Sequence, residues 1–450
     1  MAQLSRGSMP STIVQTMVRL NTARLLERLR APESAIRQSL QLAGGTAAAQ
    51  ALGILTLPLL TRLYTPESFG QFGLFTAFTA VASNVVNARF EQAIPGAESD
   101  EQGIRLVHVA IAAAVPMTVL LVASLATIQH FNLMGFGALP LWAVWLSAPA
   151  VLALGLFGAA RYWCVRRQDF GRLAQTTIAQ GATRAFMPVA LSVLNPGAGG
   201  LIASEISSRL IGVRWLFKAL PPGMTAGSGA WRTASLKTTA LRWKTFPMVL
   251  LPSTFIDAVT LALPLPLIAR FYGPANAGVF FLVQRVAAAP AALVGASVAD
   301  VFHARVGTHA GQAPESLPRL LSTTMRHLGI LGLVILTPAV LLAPWAFPIA
   351  FGNAWAGAGW AFVITAPWNL AAWIVTPVTR ILSVSAHMEL KLVYDVLALV
   401  VLVSSVWFAS VSHLTFLECL ALVSAGQAGA YGAYGVLLHA AARGPRARQP

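Results

Sequence analysis

Charged side chains inside apolar runs are the first feature of this 450-residue sequence that could support chemistry. Each interrupts a stretch of about 20 apolar residues, long enough to cross the ~30 Å hydrocarbon core of a bilayer as a helix. A charge at that depth costs about 2.5–3.5 kcal/mol on insertion scales, so it needs an opposite charge or a water-filled cavity. The six positions are Arg184, Glu205, Arg209, Asp257, Arg285 and Asp395.

Three of these charges have an opposite charge one helical turn away. Glu205 precedes Arg209 by four residues, the favourable order for an ion pair on one helix, so the spacing fits a self-neutralised structural pair as well as a functional site. Asp395 follows Lys391 by four residues, close to the predicted start of a helix. That position favours an ion pair at the helix end over a binding site.

Two arginines have no acid nearby in the sequence. Arg184 and Arg285 either face a water-filled interior, which we favour, or enter ion pairs with other helices. Arginine in such an interior binds anions through several charge-assisted hydrogen bonds. Among the acids, Glu205 and Asp257 are the groups that could titrate and couple transport to a cation.

The surrounding composition indicates the class of protein. The sequence is 56% hydrophobic and 10% charged, with a mean hydropathy of +0.68, whereas a soluble protein carries about 25% charged residues. We predict an all-α polytopic membrane protein with about twelve transmembrane helices. The predicted helices are 40–61, 69–89, 105–127, 138–161, 174–194, 197–217, 246–269, 278–299, 325–347, 357–380, 392–411 and 416–440.

Basic residues are distributed unevenly between the loops. Of the 31 Lys and Arg residues, 26 lie in segments predicted on one face, three lie within spans, and only Arg62 and Arg270 lie on the other face. The positive-inside rule therefore predicts that the first face is cytoplasmic and that both termini lie there. The net charge of +16 is then a topology signal and does not indicate nucleic-acid binding.

A fifteen-residue stretch occurs twice. Residues 58–72, PLLTRLYTPESFGQF, and residues 266–280, PLIARFYGPANAGVF, are identical at seven positions with a constant offset of 208. The two stretches begin at the outer ends of the first and seventh predicted helices. The repeat predicts two six-helix lobes related by a pseudo-two-fold axis along the membrane normal, as in transporters whose lobes rock around a central substrate path.

The repeat also sets the domain boundaries. The basic N-terminal segment is either an amphipathic helix lying on the membrane surface or a disordered tail. Four prolines in the seventh helix mark it as a candidate moving element. The predicted units are the basic N-terminal cytoplasmic segment 1–38, the N-terminal lobe 39–217, a basic cytoplasmic linker 218–245, the C-terminal lobe 246–441 and a basic cytoplasmic tail 442–450.

The first repeat and the segment after the second helix resemble a known family. LPLLTRLYTPESFGQFGLF and ARFEQAIPGAESDEQ are similar to the start of the Wzx-like polysaccharide-lipid flippases, or polysaccharide biosynthesis proteins, of the multidrug/oligosaccharidyl-lipid/polysaccharide exporter superfamily. Arg89 and Glu91 flank a phenylalanine where the family usually has tyrosine, at the cytoplasmic end of the second helix. The resemblance implies export of a polyprenyl-pyrophosphate-linked oligosaccharide to the outer leaflet of the bacterial inner membrane, for O-antigen, capsule or exopolysaccharide assembly.

The resemblance also suggests roles for individual residues. In related lipid II flippases an arginine just before a similar aromatic turn lines the cavity, and Arg62 occupies that position here. A pyrophosphate is a dense anion that arginine binds well. We expect Arg184, Arg209 and Arg285 to form a mid-membrane anion surface, with Arg62 and Arg270 at its outer mouth. The expected partners are membrane lipids and polysaccharide polymerase or assembly proteins.

Three other functions compete with this one. A cation-coupled multidrug exporter of the same superfamily would favour acidic and aromatic residues inside, whereas this interior has at least as many arginines as acids. A membrane polysaccharide polymerase or ligase would resemble its relatives in having a large outer loop, and every predicted outer loop is short. A scaffolding protein would have no need of the repeat. The sequence has no catalytic constellation and no phosphate-binding loop, so we expect neither an enzyme nor a cofactor or metal.

Overall fold

The computed structural model describes residues 35–194, 197–220, 233–312, 314–382 and 389–443. Within these ranges the chain forms thirteen α-helices joined by short turns and 3₁₀-helices. The all-helical membrane fold predicted from the composition is confirmed. The predicted N-terminal segment and C-terminal tail lie almost entirely outside the described residues.

Six helices form the N-terminal lobe and run alternately between two faces of the molecule. They are α1 (Ala35–Leu63), α2 (Pro66–Val85), α3 (Asp100–His130), α4 (Leu141–Arg166), α5 (Phe170–Ser192) and α6 (Ala198–Phe217). The Thr65 hydroxyl accepts a hydrogen bond from the backbone N–H of Ser68 (3.2 Å) and so starts α2 directly after the turn. We call the face with this turn the Arg62 face, and the opposite face, where α2 ends, the Arg89 face.

A short helix and six further passes of the chain follow. The helices are α7 (Thr233–Arg242), α8 (Leu251–Ala262), α9 (Pro264–Gln312), α10 (Leu317–Phe351), α11 (Ala356–Val375), α12 (Glu389–Val411) and α13 (Phe416–Arg443). α9 is broken at Gly273, whose φ of 84° lies in the left-handed region that glycine tolerates. The chain reverses there, so α8 with the short first part of α9 forms one pass and the long second part forms the next.

Among the described residues, seven helical segments are long and apolar enough to cross a membrane, or eight when α2 is joined to the bent 3₁₀-helix after it. One of the seven, Phe246–Pro290, contains both passes on either side of Gly273. α5 and α6 are less apolar because they carry Arg184, Glu205 and Arg209, and α13 is rich in Gly and Ala. Alternation between the two faces gives the predicted twelve passes.

Prolines divide the predicted seventh helix into pieces. Residues Phe246–Leu250 form a π-helical turn, α8 has Pro252 in its first turn, and α9 begins at Pro264. Proline lacks a backbone N–H and restricts the residue before it, so helical hydrogen bonding is interrupted at each position. α8 has no buried residue. The predicted outer loop 270–277 is reduced to the break at Gly273, because Pro274 immediately starts the next helical pass.

The two lobes meet along α2 and the second part of α9, and the contact is reciprocal. A Cβ added at Gly70 would overlap the carbonyl oxygen of Pro274, and a Cβ added at Gly278 would overlap the carbonyl oxygen of Pro66. The two prolines are equivalent positions of the repeat, and so are the two glycines. The contact, called the glycine seam below, therefore maps onto itself when the lobes exchange, as the predicted pseudo-two-fold relation requires.

The described part of the linker packs on the N-terminal lobe at the Arg89 face. Arg242 at the end of α7 forms an ion pair with Glu98 (2.9 Å). Leu236 and Trp243 pack against the buried apolar cluster that contains Leu106 of α3. The connection between the lobes is thus anchored to the N-terminal lobe before the first pass of the C-terminal lobe begins.

Candidate functional site

Helices α5 and α6 pack against each other and bring two arginines to one carboxylate. Arg184 Nε lies 2.7 Å from Glu205 Oε2, and Arg209 Nε and Nη2 lie 2.9 and 2.8 Å from Glu205 Oε1. The Glu205 side chain is 9% exposed, whereas those of Arg184 and Arg209 are 31% and 25% exposed. The predicted Glu205–Arg209 pair is present, and Arg184 finds on α6 the acid that its own neighbouring sequence lacks.

A third arginine, on the other lobe, acts on this carboxylate electrostatically without forming an ion pair with it. Arg285 on α9 interacts electrostatically with Glu205 and with Arg184. Its guanidinium lies over the ring of Phe281, 5.3 Å from the centroid, and its side chain is exposed. Because its electrostatic partners belong to the N-terminal lobe, Arg285 faces the space between the lobes. Arg184, Glu205, Arg209 and Arg285 are called the arginine cluster below.

The arginine cluster carries an excess of positive charge. Two guanidinium groups pair with the one carboxylate and a third acts on it electrostatically, so a single acid offsets only one of three cations. Arg184 Nη2 is buried and makes no hydrogen bond to the described residues. Guanidinium groups bind phosphate and carboxylate oxygens by paired, charge-assisted hydrogen bonds. The arrangement can therefore hold an anion between the lobes, and Glu205 can take up a proton only in competition with the arginines.

A second set of charges lies entirely in the C-terminal lobe. Lys391 Nζ on α12 is 2.7 Å from Asp257 Oδ1 on α8 and 2.8 Å from Asp395 Oδ2. The Asp395 side chain is 11% exposed and that of Asp257 is 54% exposed. The Lys391–Asp395 pair is the one predicted from its spacing. The contact with Asp257, 134 residues away, has no signal in the sequence. These three residues, the lysine cluster, carry one net negative charge.

Hydrogen bonds between the lobes close the Arg62 face. Arg62 Nη2 donates to the backbone carbonyl of Ile349 near the end of α10 (3.1 Å). Beside it, Trp355 Nε1 donates to the carbonyl of Thr61 (2.8 Å). Arg62, which the sequence predicts at an outer mouth, thus lies at a contact between the two lobes.

The N-terminal lobe also contacts the backbone of the second repeat at this face. Gly135 has a φ of 78° and packs so closely on Pro266 and Arg270 that an added Cβ would overlap both backbones. The Arg270 guanidinium is exposed and lies 5.9 Å from the centroid of the Phe271 ring. The two arginines of the repeat therefore share one face but differ in their contacts, since Arg62 bridges the lobes through its side chain and Arg270 through its backbone.

The family-like motif at the end of α2 contacts α8. Ala88 and Arg89 have φ angles of 48° and 66°, in the left-handed region. This turn places Arg89 Nη1 3.5 Å from Glu91 Oε1 and allows Arg89 Nε to donate to Thr254 Oγ1 of α8 (2.9 Å). Arg89 therefore links the two halves of the chain on the Arg89 face, as Arg62 does on the other face.

A cavity of about 610 Å³ lies in the C-terminal lobe. Its walls come from α9, α10, α11 and the 3₁₀-turn Thr376–Val378 that follows α11. Gln284, the neighbour of Arg285, and Asn369 on α11 contribute amide groups, and Arg380 contributes a guanidinium. No pattern in the sequence indicates this cavity, because only the packing of α9 on α10 and α11 brings its walls together.

A sequence profile of the family described as "Polysaccharide biosynthesis protein" matches residues 59–359. The chain belongs to this family. The matched region includes the whole arginine cluster, and it covers the second repeat completely and the first almost completely. Membership in the family confirms the resemblance predicted from the first repeat and the Arg89 motif. No curated protein sequence matches the chain.

Solved structures with a similar fold include a flippase and several transporters. The lipid II flippase MurJ in an inward closed conformation aligns with a TM-score of 0.65 at 11% identity, over 90% of this chain and 87% of that chain. An inward-facing MATE transporter of the MOP superfamily aligns with a TM-score of 0.57 at 13% identity, over 89% and 95%. A variant of the Vibrio cholerae MATE transporter VcmN aligns with a TM-score of 0.53 at 12% identity, over 93% and 97%. This member of the polysaccharide family therefore has the fold of MOP-superfamily transporters.

Proposed function

We propose that the protein translocates a polyprenyl-pyrophosphate-linked oligosaccharide from the inner to the outer leaflet of the bacterial inner membrane. The observation that carries this proposal is the arginine cluster, with two excess positive charges between the lobes of a MOP-type fold. Membership in the polysaccharide biosynthesis family and the fold shared with the lipid II flippase MurJ support it. The product would feed O-antigen, capsule or exopolysaccharide assembly, with polymerase or assembly proteins as partners.

In this proposal the pyrophosphate binds at the arginine cluster. Arg184 and Arg209 are held by Glu205 and present their remaining N–H groups to the anion, while Arg285 approaches from the other lobe. An anion bound there contacts both lobes and neutralises the excess charge. The polyprenyl chain stays in lipid, which solvates it, while the lobes rock around the bound head group.

The positive-inside rule makes the Arg62 face the outer face and the Arg89 face the cytoplasmic one. The glycine seam and the hydrogen bonds of Arg62 and Trp355 then correspond to a state closed to the outside. On the cytoplasmic face the link runs through Arg89 to α8, the helix without a buried residue. α8 is therefore the element that moves to admit substrate, and Arg62 and Arg270 line the exit when the outer face opens.

The membrane potential contributes to the direction of transport. Moving negative charge outward across an inside-negative membrane is favourable by ~2.3 kcal/mol per charge per 100 mV. Coupling to a cation would use Glu205 of the arginine cluster or Asp257 of the lysine cluster. Glu205 is held by Arg184 and Arg209, so coupling through it would involve these two ion pairs.

A deletion strain tests the proposed function. Lipid-linked oligosaccharide should accumulate in the inner leaflet of the strain, and the wild-type gene should restore surface polysaccharide. Accumulation in the outer leaflet would instead indicate a polymerase or ligase. Altered drug sensitivity with normal surface polysaccharide would indicate a multidrug exporter.

The anion site is tested in the same strain with a matched pair of arginine variants. Arg285→Ala should lower surface polysaccharide at least about tenfold at unchanged protein level, because it removes charge-assisted hydrogen bonds to the pyrophosphate. Arg319→Ala removes an exposed arginine of the same lobe and should complement fully. Full complementation by both variants would show that Arg285 does not bind the substrate.

A further inference from the structure

The cavity in the C-terminal lobe begins one helical turn from the arginine cluster. Gln284 and Ala288 line it, on either side of Arg285 in the sequence of α9. Residues three apart share one face of a helix, so Arg285 and Ala288 point to the same side. The cavity therefore lies beside the group to which the pyrophosphate is assigned.

The walls of the cavity combine small apolar side chains with separated polar groups. Alanines on α9 and α11 leave the space open, and about 610 Å³ lies within the range of about 300–1,000 Å³ found for small-molecule sites. Gln284 and Asn369 supply amides, Thr376 a hydroxyl and Arg380 a guanidinium. Asn369 is oriented by donating a hydrogen bond to the carbonyl of Thr365 (3.1 Å). These groups suit a ligand that is polar on several sides.

We propose that this cavity binds the sugar units next to the pyrophosphate; the inference rests on the proposed function and assigns a place to the second part of the substrate. Sugar hydroxyls both donate and accept hydrogen bonds, and side-chain amides offer both capacities in return. A polar group buried without a partner costs about 1–3 kcal/mol, so a sugar site must supply such groups. The first sugar is bonded directly to the pyrophosphate, and it must therefore lie beside Arg285.

The polyprenyl chain fits this cavity less well than the sugar units do. Lipid already solvates that chain, so transfer into a protein cavity brings it little gain. Insertion of an apolar chain would also cover the amide groups of Gln284 and Asn369 without supplying hydrogen bonds to them. The separated polar groups in its mostly apolar wall thus favour the saccharide over the tail.

Binding of two lipids to the purified full-length protein in nanodiscs tests the proposal. The probes are undecaprenyl pyrophosphate and the lipid-linked oligosaccharide extracted from the deletion strain. The wild-type protein should bind the oligosaccharide lipid about tenfold more tightly than the sugar-free lipid, and Asn369→Leu and Gln284→Leu should each reduce this preference about fivefold. The affinity for undecaprenyl pyrophosphate should stay unchanged, because the arginine cluster is intact in both variants.

The control is Asn276→Leu. Asn276 on α9 makes the same kind of bond to the carbonyl four residues earlier (2.8 Å to Tyr272) but does not line the cavity, so this variant should keep the wild-type preference. Equal binding of the two lipids by the wild-type protein, or an unchanged preference in both cavity variants, would overturn the sugar site and leave the flippase proposal standing. Failure of the wild-type protein to bind either lipid would overturn both.

Discussion

The arginine cluster and the lysine cluster use the same ion-pair chemistry in different places. Their contacts are equally short, 2.7–2.9 Å in the first and 2.7–2.8 Å in the second. Cations exceed acids in the arginine cluster, and acids exceed the cation in the lysine cluster. The arginine cluster draws its residues from both lobes, whereas the lysine cluster joins α8 to α12 within the C-terminal lobe.

This difference separates a site whose residues belong to both lobes from one whose residues all belong to the same lobe. Rocking of the lobes must alter the separation of Arg285 from Glu205, because each belongs to a different lobe. The same movement leaves Lys391 and Asp395 together, since they lie one turn apart on α12. A substrate that is to be carried by lobe movement is therefore expected at the arginine cluster.

The largest effect on stability is expected from Glu205→Ala, which leaves three arginines without their shared acid. Removal of one partner from a buried ion pair costs about 3–5 kcal/mol, and unfolding in mixed micelles should show a loss in this range. Glu101→Ala is the control, because Glu101 is 85% exposed and 3.9 Å from Arg105, a pair worth about 0–1 kcal/mol. Equal losses of unfolding free energy in the two variants would show that Glu205 does not stabilise the arginine cluster.

A smaller effect is expected from Gly70→Ala, which disturbs the contact between the lobes and leaves the residues of both charge clusters in place. The new Cβ overlaps the Pro274 carbonyl and forces α2 away from α9 at an overpacking cost of about 1–3 kcal/mol. Spin labels at the Arg62-face ends of the two lobes should report a longer distance. Gly53→Ala, in open space on α1, should leave that distance unchanged and stabilise its helix. An unchanged distance in Gly70→Ala would mean that the seam does not hold the lobes together.

Lys391→Met should cost about 1–2 kcal/mol, less than Glu205→Ala. Asp257 is 54% exposed and can be hydrated when the lysine is lost, which leaves Asp395 as the only confined acid. Adding Asp395→Leu should recover most of the stability, because the cation and its confined partner are then removed together. No recovery in the double variant, measured in the same unfolding assay, would show that the two residues act independently.

The smallest effect is expected from Thr254→Val, which removes the acceptor of the Arg89 Nε–H bond. The net contribution of such a bond is about 1 kcal/mol, so local opening of α8 should become about fivefold more frequent. Hydrogen exchange of α8 amides reports this opening, and amides of α12 serve as the internal reference. Unchanged exchange in α8 would show that the Arg89 link does not restrain this helix.

Features that depend on residues close together in the sequence were predicted from local patterns. The length of the apolar runs gave the number of passes, and the i,i+4 spacing of Glu205 and Arg209 gave their ion pair. The repeat predicted the two related lobes, and the proline and glycine positions that shape each turn also form the seam between them, which was not predicted. These predictions needed only helix periodicity and the membrane thickness.

Contacts between distant helices could not be predicted in this way. Arg184 meets Glu205 only because α5 packs on α6, and Asp257 meets Lys391 only because α8 packs beside α12. Each side chain alone is compatible with water, with an ion pair or with substrate, so the sequence left these alternatives open. The cavity in the C-terminal lobe is even harder to predict, because alanines that line a cavity look the same in the sequence as alanines elsewhere in a membrane helix.

The glycine seam bears on how such a chain arose. The contact uses the same proline and glycine positions in each half. Two identical six-helix chains, inserted in the membrane in the same orientation, could therefore dimerise through this surface. Duplication of a gene for one half, followed by fusion through a linker, would then produce a single chain without a new interface. The charges diverged where the seam did not: at the offset that pairs Gly70 with Gly278, the counterpart of Arg285 is Ala77. Arg285 of the arginine cluster thus has no repeated counterpart, whereas the contact between the halves is repeated.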